Sequence, residues 1–374
     1  MIEKVSREWD NKFEFIRTQR VSLCPYEKAV PIKAFKELSY LCDVSSIRWY
    51  DIPIKPISCD SKLFTFAYEL LAENIRAFVN VLGVHDGSVN PWVLTQCAEL
   101  IRKVSNISPD GKDNFRLGIS VNVKADGPFF PFTYSSGSIG FSIGLELTQE
   151  INLVCEQSKD KGLVELRKDI LDCLTPQIDS INELARNISV KYDFDFKGFD
   201  FSLAPIIDPN GSIISILNTL GIYDFGKTGN FFATGYLTNI LKYYASAYKS
   251  VGFSGVMYSL LEDLELCSIN NQRGVSLEQL ISLSTMCGCG VDMIPVYGKI
   301  TNEELISIFM DIIGISCRLN NKPLGIRILP IPNCKRGQQS FTSFFDDPDF
   351  IANTKVVTPR LNLLNKIEDI FKFL

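Results

Sequence analysis

FRLGISVNV, Phe115–Val123, is the stretch on which the fold class turns. Phe115, Leu117, Ile119, Val121 and Val123 alternate with other residues, so a regular pleat sends all five to one face of a strand. On its N-terminal side Asn90-Pro91 opens a helix that runs through Lys103, because asparagine caps free backbone donors and proline fits the first turn. Further upstream Leu63, Ala67, Leu70, Leu71, Ile75, Phe78 and Leu82 recur at helical spacing from Asp60. Gly83 follows as a stop, so one long helix is predicted there. The first 60 residues are irregular and punctuated by prolines, and short strands are predicted within Phe15–Leu23 and Ile47–Ile57, which carry Arg17 and Arg48.

On the C-terminal side Gly127–Gly144 reads as a loop-rich connection. Helical periodicity covers Gly162–Tyr192, with a predicted break at Thr175-Pro176, where Thr175 caps a second helix carrying Ile178, Ile181, Leu184 and Ile188. Beyond residue 195 short apolar strands alternate with helices through Gly198–Ala204, Ile213–Leu220, Phe231–Tyr248, Gly252–Tyr258, Ser276–Met286, Val291–Tyr297, Thr301–Ile315 and Leu324–Ile331. Ser276 with Gln279 and Thr301 with Glu304 have capping-box spacing, which fixes two late helix starts. The class is α/β.

The 374 residues suffice for one large barrel or two ordinary domains. A net charge of −5, from 38 Lys plus Arg against 43 Asp plus Glu, offers no overall attraction to phosphate backbones or anionic lipid, so neither nucleic acid nor membrane is an expected partner. MIEKVSREWD at the start lacks the apolar core of a secretory signal. Leu305–Cys317, interrupted by Asp311, falls short of the roughly 18 apolar residues that span a bilayer. Eleven cysteines without a CxxC pair suggest buried thiols in a reducing, cytoplasmic compartment. His85 is the only histidine, which removes His-rich zinc sites and paired histidine acid–base chemistry.

GPFFPFTYSSGSIGFSIGLE (Gly127–Glu146), GFDFSLAP (Gly198–Pro205), SVGFSG (Ser250–Gly255), CGCGVDMI (Cys287–Ile294) and NNKPLGIRILPIP (Asn320–Pro332) follow one another in that order. Together they resemble the signatures of the domain of unknown function 711 family, also called uncharacterised protein family 0210. The resemblance implies a ten-stranded α/β barrel like that of pyruvate formate-lyase over residues 15–335, and implies no particular reaction. Glycyl-radical enzymes of that fold need a thiyl-forming cysteine and a glycine loop near the C-terminus. Lys249–Gly255 lacks the arginine of such a loop and lies far upstream, so the expectation is a barrel without the radical glycine loop, with Gly252 serving a close backbone approach or a turn. Residues 1–374 are read as a single barrel domain, with 338–374 a C-terminal extension.

Asp200, Glu262, Asp263 and Asp292 lie in or beside these segments. Barrel closure would gather their carboxylates, a donor set suited to magnesium or calcium; the competing reading is helix caps and ion pairs, and no metal ligand is assigned. Cys287 matches the family's cysteine before Gly-x-Asp-Met, whereas Cys289 stands where that motif more often has an apolar residue. Cys287 is read as a buried thiol or as a nucleophile, the latter needing a base, a cation or a helix N-terminus beside it. Strand alternation sets Arg327 opposite Ile326 and Ile328, as a cation for a carboxylate or phosphate that Asn320 and Lys322 supplement; an ion pair with Asp200 or Asp292 is the equal alternative. Tyr134 with Glu146 is read as a proton-transfer pair or as rim hydrogen bonding, and His85 before Asp86-Gly87 as a surface turn.

The leading expectation is a non-radical enzyme acting on a small anionic metabolite, with Asp200, Glu262, Asp292, Cys287 and Tyr134 catalytic and Asn320, Lys322 and Arg327 binding substrate. A metabolite-binding or regulatory protein is the second reading, and a scaffold whose motifs close the barrel the third. The cofactor is unknown at this point, and assembly into homo-oligomers is left open.

Overall fold

A computed structural model describes residues 2–10, 17–45, 47–340, 354–357, 359, 362–363 and 369–372. In chain order the first part comprises α1 (Ile2–Asp10), β1 (Arg20–Ser22), α2 (Ala34–Val44), β2 (Trp49–Ile54), α3 (Lys62–Glu73), β3 (Ala77–His85), β4 (Ser88–Val89), α4 (Pro91–Val104) and β5 (Leu117–Val121). There follow β6 (Gly140–Gly144), α5 (Thr148–Gln157), α6 (Leu163–Tyr192), β7 (Asp195–Asp200), α7 (Ile213–Thr219) and α8 (Asn230–Ala247). The last part holds α9 (Leu264–Arg273), α10 (Leu277–Leu283), β8 (Gly290–Tyr297), α11 (Asn302–Arg318), β9 (Leu324–Ile331) and β10 (Phe371–Lys372). Among these residues no helix is long and apolar enough to cross a membrane.

The main sheet runs β1-β2-β3-β5-β9-β8, with β4 and β10 as a side arm on β3. Strands β1, β2, β3 and β5 are mutually parallel, β9 meets β5 antiparallel, and β8 is again parallel to β9. Helices α2, α3, α4 and α11 make the crossovers between parallel neighbours, which covers the sheet and explains why every residue of β2, β5, β8 and β9 is buried. A second sheet pairs β6 with β7 in parallel. Isolated parallel bridges, Phe199 with Ser250, Leu203 with Val256 and Ser259 with Asp292, lead from β7 back to β8. The chain is therefore a mixed α/β protein with a mostly parallel sheet. The closed ten-stranded barrel implied by the family resemblance is not formed among the described residues: β1 and β6 end their sheets as edges, with no ladder joining them.

Several local expectations are met. Asn90 Oδ1 accepts from Trp92 N with Pro91 in the first turn of α4, and Ser276 and Thr301 form full capping boxes on α10 and α11. His85 is exposed in the β3–β4 turn beside Asp86 and Gly87, both at positive φ. Three expectations are corrected. The helix from Asp60 stops at Glu73, because Asn74 turns extended and Ala77–Leu82 is a run buried on both faces, a strand that periodicity alone cannot tell from helix. The break at Thr175-Pro176 is absent: α6 is continuous through Pro176, and the Thr175 hydroxyl meets the Tyr244 hydroxyl instead of capping. One missing backbone donor is outweighed by the buried row of Leu166, Ile170, Leu174, Ile178, Ala185 and Ile188. Gly127–Gly144 is not all loop, since β6 occupies its end.

In the N-terminal stretches the strands are Arg20–Ser22 and Trp49–Ile54, while residues 15 and 16 lie outside the described residues. Most of the 338–374 extension also lies outside them. Its described parts return to the body: Val357 bridges Val296, Asn270 donates to the Thr354 hydroxyl, and β10 pairs with β4.

Candidate functional site

Asp292 and Arg327 form the centre of the site, on adjacent strands β8 and β9. The register of that pair slips between Val291 and Ile294, with Met293 at a φ of 53°, a bulge that re-aims Asp292 at its neighbour. Arg327 Nε donates to Asp292 Oδ1 at 2.6 Å and Nη2 to Oδ2 at 2.9 Å, while Nη1 donates to the Phe115 carbonyl at 3.2 Å. The guanidinium lies 5.2 Å from the Phe115 ring and 5.9 Å from the Phe132 ring. Burial opposes its charge, but Asp292 and Glu262 more than offset this, and its pKa is raised. The arginine is locked and charged.

The aromatic wall comes from the FFPF loop. Phe132 packs where β5 and β9 each offer a glycine: a Cβ on Gly325 would stand 2.7 Å from its ring and one on Gly118 2.8 Å. That approach sets Phe129, Phe130 and Phe132 around a cavity of about 60 Å³, room for a few water molecules or a small ligand. Arg20 reaches the cavity from β1 and Glu262 from the turn before α9, and Ser259 and Cys289 also line it.

Arg20 is the unusual member. Its guanidinium lies 5.0 Å from the Trp49 ring and 5.4 Å from the Phe130 ring, and Nε donates to Thr18 Oγ1 at 3.0 Å. Its two Nη groups make no hydrogen bond to any described residue. Desolvation lowers its pKa to about 10, with Glu146 as the largest opposing influence. Glu262 accepts at Oε2 from the Ser259 hydroxyl and stands 3.6 Å from Arg327 Nη2, while Oε1 has no donor among the described residues. Desolvation raises its pKa against the pull of Arg327. Glu146, just after β6, is held by Arg17 Nη1 through both oxygens at 3.0 Å.

Of the residues singled out in the sequence, Glu262, Asp292 and Arg327 come together here. Asp200 does not: it is fully buried and accepts from Ser202 N at 2.8 Å, Phe253 N at 2.6 Å and Ser254 N at 3.0 Å, tying β7 to the 250–255 loop. Gly252 serves that clamp, for its φ is 70° and a Cβ would strike Asp200 Oδ2. Asp263 accepts from Ser212 Oγ, Ile213 N, Glu265 N and Leu266 N, joining the N-termini of α7 and α9. With Asp200 and Asp263 spent on backbone donors the four carboxylates do not converge, and the described residues hold no group of three or more His, Cys, Asp or Glu arranged for a metal. Tyr134 turns its hydroxyl to the Val123 carbonyl at 3.3 Å instead of pairing with Glu146.

Asn320 is an exposed turn residue at positive φ after α11. Lys322 donates to the carbonyls of Ser284, Thr285 and Cys287 at 2.7, 3.1 and 2.5 Å, and so holds the turn after α10. Cys287 is buried and borders a separate cleft with Lys242 and Lys322. The neighbouring Cys289 thiol, aided by the Lys322 charge, lowers the Cys287 pKa despite burial, while both thiols point to the Gly290 carbonyl. Arg20, Arg17 and Trp49 were missed as site residues. Their one signal is cationic residues set in apolar, strand-forming sequence at 15–23 and 47–57.

Fold and site together define a mixed α/β protein with a small cavity lined by arginines, carboxylates and phenylalanines. The chain belongs to the family described as Uncharacterised ACR (DUF711), which matches residues 54–343. It is similar to a UPF0210 protein of Sulfurisphaera tokodaii, 29% identical over 62% of this chain and 52% of the relative. UPF0210 proteins of Methanococcoides burtonii and Clostridium perfringens are each 26% identical, over 74% and 73% of this chain and 63% and 62% of their own lengths. The chain thus spans between about half and three-fifths of these relatives.

Proposed function

We propose that the cavity binds a small anionic metabolite through Arg20 and that Glu262 exchanges a proton with it, in a non-radical reaction. The supporting observation is the Arg20 guanidinium, held between two aromatic rings with both Nη groups lacking a partner among the described residues. Every other guanidinium at the cavity has a carboxylate: Arg327 has Asp292 and Arg17 has Glu146. A half-buried guanidinium whose outer edge meets no acceptor among the described residues keeps hydrogen bonds to offer, and a bound carboxylate or phosphate would take them up. Glu262, with its pKa raised by desolvation, suits a general acid or base.

The same reading extends to the fold. Two parallel arrays meet antiparallel at β5 and β9, the bridges from β8 to β7 continue the second array, and the Arg17–Glu146 pair spans from the β1 side to the β6 side. These features favour an open, barrel-like wrap around the cavity of the kind the family resemblance implies, without a ladder between β1 and β6 among the described residues. Gly252, engaged with Asp200, is not placed for radical storage. Eleven free cysteines suit a reducing cytoplasm.

The test is isothermal titration of the full chain with inorganic phosphate and with acetate, propionate and succinate, repeated on Arg20→Met. Arg20→Met is expected to weaken binding by roughly 1.5–3 kcal/mol, the scale of a charge-assisted hydrogen bond. Its unfolding midpoint should barely move. Unchanged affinity in Arg20→Met would reject the reading.

A further inference from the structure

We infer that the ligand of this cavity carries an ammonium group beside its anionic group, as an α-amino acid does. The inference rests on the anion-binding reading above and names its substrate class. It follows from counting charges that already have partners. Arg327 and Asp292 neutralise one another through two hydrogen bonds, and Arg17 and Glu146 through two more. Among the described residues, two cavity charges of opposite sign are left with spare hydrogen-bonding capacity: the Nη edge of Arg20 and Oε1 of Glu262. Both residues line the same cavity and lie within electrostatic range of each other.

A simple anion satisfies only half of this arrangement. Its charge meets Arg20, but an ionised Glu262 would then face it at close quarters in a cavity of about 60 Å³, where like charges repel strongly. Binding would force Glu262 to take up a proton. The groups facing Glu262 are Arg327, Asp292, Ser259, Arg17 and Arg20, and of these Arg327 and Arg17 already serve carboxylates. A ligand ammonium removes the conflict by donating to Glu262 Oε1 while the ligand carboxylate accepts from Arg20. Four of the aromatic faces do not compete for that ammonium, because guanidinium groups already lie over Trp49, Phe130, Phe115 and Phe132. The cavity size restricts the ligand to a small one.

Matched probes isolate the ammonium: alanine against propionate, aspartate against succinate, and inorganic phosphate as a plain anion. Calorimetry on the full chain, in two buffers of different ionisation enthalpy, gives affinity and proton uptake together. The expected result is at least one amino acid bound tenfold or more tightly than its deaminated partner, without proton uptake. Glu262→Gln should erase that preference and strengthen the deaminated partner, and Arg20→Met should weaken both. Deaminated acids or phosphate binding as tightly as their amino counterparts would overturn the ammonium site and leave anion binding standing. Failure of every probe to bind a folded chain, judged by its circular dichroism, would overturn both.

Discussion

Replacing Arg327 by alanine should destabilise this protein more than truncating any cavity residue outside its pair with Asp292. Both oxygens of Asp292 accept from Arg327 alone among the described residues, at 2.6 and 2.9 Å, and the aspartate is 5% exposed. Truncation leaves that carboxylate buried and uncompensated, and also strips the Phe115 carbonyl of its 3.2 Å donor. Breaking a buried pair in this way costs about 3–5 kcal/mol. Asp292→Ala strands the guanidinium instead and should cost a similar amount. The double variant should recover about 2–3 kcal/mol relative to the sum, because neither charge is then left alone. Urea unfolding followed by tryptophan fluorescence and by far-ultraviolet circular dichroism measures all three. The contrast with Arg20→Met is built in, since among the described residues Arg20 has one hydrogen bond, to Thr18. A loss below about 1 kcal/mol in Arg327→Ala, with additive single variants, would refute the buried-pair account.

Asp263 titrates in the folded chain at about 6, pushed up by burial against its four hydrogen bonds. The folded state therefore holds the proton more tightly than the unfolded one, and stability from this group falls by about 3 kcal/mol as pH rises from about 4 to about 6, then levels. Asp263→Asn should lose that slope, and urea midpoints at pH 4.5 and 7 that shift equally in parent and variant would contradict it. Gly252→Ala places a Cβ against Asp200 Oδ2 at a φ of 70° and should cost about 1–3 kcal/mol or more, read as a lowered melting temperature; an unchanged melting temperature would count against the clamp. Asp51 is fully buried on β2 with neither carboxyl oxygen hydrogen-bonded to a described residue, and desolvation raises its pKa well above the usual carboxylate range. Asp51→Asn should accordingly hold stability within about 1 kcal/mol of the parent at pH 7, and a much larger loss would show that the charged form is required.

Local signals proved legible where one element contains its own explanation. The capping boxes at Ser276 and Thr301 and the Asn90-Pro91 start are complete within four residues. Arg327 could be placed on one face of its strand by alternation, and Asp292 could be named as one of two partners, because an arginine in a buried strand needs a carboxylate near in register. Asp200 was misread for the opposite reason. Its partners are chiefly backbone N–H groups of residues 253 and 254, and nothing in a sequence announces which backbone donors a carboxylate will satisfy. The segment Ala77–Leu82 was misread because a run buried on both faces carries no period. Arg20 was not found at all: its setting depends on Trp49 and Phe130, which lie 29 and 110 residues further along the chain.

These outcomes divide the family motifs by physical role. GFDFSLAP and SVGFSG meet at the Asp200 clamp, CGCGVDMI and NNKPLGIRILPIP meet at Lys322 and at the Asp292–Arg327 pair, and the FFPF loop rests on Gly118 and Gly325. Each motif therefore interlocks with another, and most of its polar capacity is spent on the protein. At the cavity, the spare capacity found among the described residues lies outside the five segments, at Arg20 and Glu262. On the proposed reading such a site separates rigidity from recognition: the interlocked walls hold two opposite charges in a small cavity, and among the described residues these two keep hydrogen bonds for a ligand. Substitution inside the motifs should consequently appear first in stability, and substitution of Arg20 or Glu262 first in binding.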